Sequence, residues 1–233
     1  MIVKRGILIK NKHSDPKEVD YRVEILKSDR LNDVLKLNKF VYDLLPNKEV
    51  LSLDTFQGMY DDLKKGAILL GALDNDDNIF AYRHAIFPGL NERNLAYDLN
   101  FPIDFHKVCQ LETTIVHPDY RGNRLQSKFV GLIIDLVKDR GYTDLACTIS
   151  PYNYPSLNNL MKNGLKVRAL KEKYNDLLRF VLHGKIGGYD YGNPIDTVNT
   201  PIKDIEKQKD LLEKGYIGYK LHKDESLDYV KFK

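Results

Sequence analysis

One segment constrains the fold more than any other. The apolar run VCQLETTIV, Val108–Val116, meets a turn, HPDYRGN, and then RLQSKFVGLIIDLV. The run is rich in β-branched residues and reads as a strand. Leu125, Phe129, Leu132, Ile133, Leu136 and Val137 fall on one helical stripe, so 125–137 reads as an amphipathic helix. Gly122 lets the chain turn without a Cβ clash. A strand that turns straight into a helix aims the helix's unbonded N–H groups and its positive dipole end at whatever lies over the turn. Such a junction suits an anion, most naturally a phosphate. Arg121, Arg124 and Lys128 add positive charge there. The Gly-Lys-Ser/Thr ending of a Walker loop and the spaced glycines of a dinucleotide fingerprint are both absent.

The flanking pattern is mixed. Strands are predicted in 1–10 and 21–26. A helix is predicted over 29–45, where Leu31, Val34, Leu35, Leu37 and Val41 recur at helical spacing and Pro46 stops it. A second helix covers 54–65, and strands cover 67–73 and 79–87 around a polar turn. Residues 91–105 read as loop, 143–150 as strand, Tyr154–Lys162 as a helix closed by Asn163 and Gly164, and 177–183 as strand. Residues 184–199 read as a surface loop, followed by a charged helix over 202–214 and two short strands, 216–221 and 227–232. That tail is either a lid or an extension of the sheet. This order predicts a mixed sheet with helices on its faces.

Composition narrows the class. At 233 residues and 42% hydrophobic, the chain is long enough for a full core. Lys+Arg at 36 against Asp+Glu at 33 leaves +3, which argues against a nucleic-acid binder. Two cysteines, Cys109 and Cys147, rule out a disulfide scaffold or a cysteine-rich zinc site and suit a reducing compartment. No apolar run approaches the roughly 20 residues of a membrane span, and the N-terminus turns polar too soon for a signal peptide. A cytoplasmic protein with no metal, membrane or nucleic-acid partner is expected.

The turn resembles motif A of the GNAT superfamily of acyl-CoA-dependent N-acyltransferases. That motif, Gln/Arg-x-x-Gly-x-Gly/Ala, follows a strand ending in Val-x-Pro-x-Tyr. Arg121-Gly122-Asn123-Arg124-Leu125-Gln126 follows Val116-His117-Pro118-Asp119-Tyr120. Arg124 and Gln126 stand where the family has small residues, so Arg124 must swing aside or use its side chain on the phosphate. Downstream, Asn153, Ser156, Lys162 and Gly164 match the family's motif B, with Leu165 in place of Phe. The resemblance covers about 21–183. It implies an α/β (α+β mixed) GNAT-like fold: a central, mostly antiparallel mixed sheet with splayed central strands and helices on both faces. A domain over 1–183 would carry the core, with 184–233 as an extension packed on it. It further implies acetyl-CoA as acyl donor, held by Ile115, Val116, Arg121, Gly122, Asn123, Arg124, Leu125, Gln126, Ser127, Asn153 and Ser156. The acceptor would be a small-molecule or protein amine, and the chain a monomer or homodimer.

Amine acylation needs a proton acceptor, donors that polarise the thioester carbonyl, and a route for protonating the thiolate. Strand alternation puts Gln110, Glu112, Thr114 and Val116 on one face. So polar a face does not suit an apolar core and implies a cleft. Glu112 is therefore the expected base, acting through water, with the Ile115 or Val116 N–H on the carbonyl. His117, beside Pro118, is expected to pack the turn. The family's acid, a Tyr, is replaced by Leu160; Tyr152 and Tyr154 lie nearby, and Tyr154 is taken as the candidate. Tyr189, Tyr191, Tyr216 and Tyr219 read as half-buried sheet packing or as an acceptor pocket. The reading is an N-acetyltransferase. The alternative is a catalytically inactive CoA-binding sensor or regulatory module, and a third is a different phosphate ligand at the same turn.

Overall fold

The computed structural model describes residues 1–174 and 176–233. The chain divides into two compact units, Met1–Phe87 with Leu111–Val137, and Pro88–Gln110 with Lys138–Lys233.

The first unit contains β1 (Ile2–Lys10), β2 (Lys17–Ile25), α1 (Leu31–Asp43), α2 (Phe56–Lys64), β3 (Ile68–Leu73), β4 (Ile79–Ile86), the end of β5 (Val108–Val116) and α3 (Leu125–Lys138). Its strands lie in chain order. β1 pairs antiparallel with β2 (Gly6↔Tyr21), β2 with β3 (Glu24↔Gly71) and β3 with β4 (Leu70↔Arg83). Every residue of β3 is buried, which is why it reads as an unbroken apolar run rather than an alternating one. Leu31, Val34, Leu37 and Val41 of α1 join Leu69, Leu73, Tyr82 and Ile115 in one core. Thr55 starts α2, its hydroxyl accepting the Gly58 N–H at 3.1 Å. Gly71 is required by packing: a Cβ there would sit 2.5 Å from Leu26 Cδ1.

The second unit contains β6 (Asp144–Ile149), α4 (Tyr154–Lys162), β7 (Lys166–Lys173), β8 (Leu177–Lys185), β9 (Pro194–Pro201), α5 (Ile205–Glu213), β10 (Ile217–Leu221) and β11 (Ser226–Phe232). Its strand order is β6-β8-β7-β10-β11-β9. The pairings β6–β8, β8–β7, β7–β10, β10–β11 and β11–β9 are all antiparallel. Of the two possibilities for the tail, the structure takes the sheet extension, because Gly218 of β10 pairs with Val167 of β7.

Two sequence expectations need correction. Part of the 184–199 stretch expected to be loop is β9, which pairs along β11. Its side chains are mostly exposed and it begins and ends with proline, as an edge strand tolerates, so it shows no apolar alternation. β7 was not predicted at all, since its charged sequence KVRALKEK hides only Val167, Ala169 and Leu170. Among the described residues no helix is long and apolar enough to cross a membrane.

A buried ionic cluster ties β6 to β8. Asp144 Oδ1 lies 2.7 Å from His183 Nε2 and 2.8 Å from Lys185 Nζ, and Thr143 Oγ1 donates to Oδ2 at 2.6 Å. Burial opposes the charge on Asp144, but these donors outweigh it and hold the carboxyl at about 2, below the ordinary 3.8. Burial pushes His183 below its ordinary 6.5, with Asp144 opposing that shift. Folding therefore favours ionised Asp144, a contribution complete above pH 3.8 and lost as pH falls towards 2. It also favours neutral His183, so stability drops as pH falls below 6.5. Urea unfolding followed against pH should show both acid losses, with the Asp144 loss on the order of 2 kcal/mol. His183→Gln should abolish the loss below pH 6.5 and keep the Asp144 loss.

Candidate active site

β5 presents two different faces. Ile115 enters the core, and Thr113 Oγ1 donates to Asp54 Oδ1 at 3.0 Å. Tyr82 OH donates to Asp54 Oδ2 at 2.9 Å, and Asn38 Nδ2 donates to the Tyr82 oxygen at 2.5 Å. That network fastens β5 and β4 to α1. Glu112, Thr114 and Val116 alternate with these residues and are half-buried. The Thr114 hydroxyl is buried with no hydrogen-bond partner among the described residues. A buried hydroxyl left unbonded by protein is costly, which sets Thr114 apart from the hydrogen-bonded Thr113. Gln110 differs from the cleft role expected of it: it is buried, and its side-chain oxygen accepts the Leu95 N–H at 3.1 Å.

After β5 the backbone turns tightly. His117 N–H donates to Phe80 O at 2.8 Å, and the His117 ring stacks on Phe40 at 4.9 Å and 6°. Burial lowers the His117 pKa, with Asp119 opposing and Lys10 and Arg121 assisting. This histidine packs the turn. Gly122 has φ 80° and Arg124 φ 56°, both left-handed. Arg124 thus adopts, at a cost of about 1–2 kcal/mol, the backbone conformation that favours the glycine of the resembled motif. Its side chain is exposed, as is that of Arg121. Arg121 Nε donates to Val116 O at 3.4 Å.

Several expected ligand groups have other duties. The Asn123 side chain accepts the Ile9 N–H at 3.0 Å and donates to Ile9 O at 2.7 Å and Tyr120 O at 3.1 Å. It locks β1 to the turn, leaving only its backbone for a ligand. Leu125 is buried and likewise offers only its backbone, while Gln126 and Ser127 are half-buried in the first turn of α3. Lys128 Nζ donates to Tyr21 OH at 3.3 Å and lies over that ring. In the second unit Asn153 caps α4, its Oδ1 accepting the Ser156 N–H at 3.3 Å. Tyr154 OH donates to His222 O at 2.9 Å, Leu160 is buried, and Tyr152 is exposed.

The N-terminal hairpin adds charge that sequence reading missed. Asn11 N–H donates to Asp119 O at 2.7 Å, and Lys12 Nζ donates to Gly122 O at 3.3 Å. A Cβ on Gly122 would lie 3.2 Å from Lys12 Cδ and 3.5 Å from His13 Nε2. Lys10 Nζ sits over the Tyr120 ring at 5.2 Å. Lys10, Lys12 and His13 therefore gather around the turn with Arg121 and Arg124. No local pattern links residues 9–13 to 119–123.

No family model matches the sequence, and no curated protein matches it. Solved structures do. A GNAT-family acetyltransferase from Streptococcus pneumoniae has TM-score 0.53 and 14% identity over 71% of this chain and 99% of its own. A putative acetyltransferase from Acinetobacter baylyi ADP1 has TM-score 0.55 and 14% identity over 72% and 93%. A GNAT-superfamily phosphinothricin acetyltransferase from Sinorhizobium meliloti, solved with acetyl-CoA, has TM-score 0.53 and 13% identity over 71% and 88%. The chain has the fold of the GNAT acetyltransferases, and at these identities the likeness is one of fold.

Asn123→Ala removes both bonds to Ile9. It should cost about 1–2 kcal/mol, and hydrogen exchange should report faster opening of β1 while β4 stays protected.

Proposed function

We propose that the chain transfers an acetyl group from acetyl-CoA to a primary amine, directly and without a covalent enzyme intermediate. The observation that carries this reading is the turn after β5, where Gly122 and Arg124 are both left-handed and basic side chains surround exposed backbone. The acetyl-CoA bound in a structural neighbour supports it.

Arg121, Arg124 and the first-turn N–H groups of α3 hold the pyrophosphate, since guanidinium groups and a helix start both favour phosphate oxygens. The orphaned Thr114 hydroxyl supports a ligand along that face of β5. Acetyl-CoA supplies a thioester whose carbonyl is polarised by the Ile115 or Val116 N–H. Glu112, through a water, takes a proton from the attacking amine as the C–N bond forms and the C–S bond breaks. The thiolate then takes a proton from Tyr154 or from solvent.

Mixing the protein with acetyl-CoA and an amine panel, and following free thiol, tests the reaction. Glu112→Gln should lower kcat about 10²–10⁴-fold, with the loss shrinking at high pH where the amine is already neutral. Arg121→Ala should instead raise KM for acetyl-CoA. CoA-dependent thermal stabilisation without turnover of any amine would favour the inactive binding module, which Leu160 at the usual acid position also favours.

The acid has a separate test. The Tyr154 hydroxyl must release His222 O before it can protonate a thiolate. Tyr154→Phe should lower kcat for acetyl-CoA if Tyr154 is the acid. Unchanged kcat with a lowered melting temperature would leave the proton to solvent and the tyrosine to the tail.

A further inference from the structure

Two cations of β7 lack carboxylate partners. Arg168 and Lys166 form no ion pair among the described residues, although both are half-buried. Burial lowers the pKa of each, and at Arg168 the neighbouring Tyr191 and Tyr189 oppose that shift. The Arg168 guanidinium lies 4.8 Å from the Phe101 ring centre, 5.2 Å from Tyr191 and 5.6 Å from Tyr189. Its Nε is buried without a hydrogen-bond partner. Lys166 Nζ lies 4.1 Å over Tyr219 and donates to the Tyr219 carbonyl at 2.9 Å. The rings themselves form one cluster, Tyr191 meeting Tyr189 at 4.5 Å and Tyr219 at 5.6 Å.

Backbone irregularities aim these groups. The β7–β8 register shifts between Val167 and Ala169, so Arg168 is the extra residue of a bulge. The β10–β11 register shifts between Gly218 and Lys220, so Tyr219 is another. β7 and β10 are neighbours through Val167 and Gly218, and both bulged residues enter the same cluster. Bulges re-aim side chains and accompany binding sites. Burying unpaired cations for packing alone is costly, since an apolar pair would fill the same space more cheaply.

We propose that Lys166, Arg168 and the surrounding rings bind an oxyanion carried on an aromatic body. The guanidinium fork and the ammonium take the carboxylate or phosphate oxygens, and the partly exposed Tyr189 and Tyr191 faces take the ring. This inference does not depend on acetyl transfer.

Benzoate, phenyl phosphate and inorganic phosphate serve as probes, with calorimetry and tyrosine emission as readouts in a chain that has no Trp. Saturable binding of benzoate or phenyl phosphate is expected, and the stronger of the two identifies carboxylate or phosphate as the group read. Arg168→Gln and Lys166→Gln should each weaken it at least tenfold. Arg168→Lys, which keeps the charge but loses the fork, serves if Arg168→Gln does not fold, and should weaken it less. Lys171→Gln, on the same strand, should leave it unchanged. Absence of saturable binding by either aromatic probe would overturn the proposal. So would binding that survives the Arg168 and Lys166 substitutions, or inorganic phosphate binding as tightly as phenyl phosphate.

Discussion

The first unit depends on how the backbone is satisfied where β5 ends. A strand that stops and becomes a helix leaves N–H groups with no partner in either element. Here the turn between them is stabilised by other parts of the chain. His117 N–H is taken by Phe80 of β4, and Asn123 presents one acceptor and one donor to the backbone of Ile9. With those bonds made, Gly122 and Arg124 are held left-handed, and the side chains of Arg121 and Arg124 stay exposed. The strain at Arg124 is tolerated because β1 and β4 together over-determine the path around it.

β5 itself shows how one strand serves two purposes. Its Thr113 and Ile115 face an apolar core and a hydrogen-bonded Asp54–Tyr82–Asn38 network that fixes the strand against α1. The alternate residues, Glu112 and Thr114, carry polar groups for which apolar packing offers no use. The packed face holds in place the strand that carries the polar one. The second unit follows the same economy at Asp144, where a buried carboxylate is tolerated because three donors converge on it.

Much of this was legible from periodicity. α1, α3 and α4 bury the stripes that their sequences display, and β3 to β6 lie where apolar runs lie, because burial on one face or two imposes those patterns. Edge and peripheral strands escaped. β9 is exposed along most of its length, and β7 keeps charged residues at positions where its neighbours are aromatic, so neither carries a hydrophobic signal. For the candidate site, the types and spacing of residues in the turn were readable, but the duties of individual side chains were not. The resemblance assigns ligand roles to Asn123 and Asn153 by position. Their side-chain oxygens accept from the Ile9 N–H and, at the α4 cap, from the Ser156 N–H, partners that position alone does not reveal.

By itself the sequence determined a strand, a glycine-assisted turn and an amphipathic helix, because local sterics and a helical stripe leave few other conformations for residues 108–138. It also determined that basic groups accompany that turn. Only the tertiary structure decided which of those groups are engaged by distant parts of the chain. It brought Lys12 and His13 to Gly122, spent Lys128 on Tyr21, and collected Arg168, Lys166 and the tail tyrosines into one cluster. Those outcomes rest on hydrogen bonds, bulges and ring contacts between residues far apart in the chain, which no local pattern encodes.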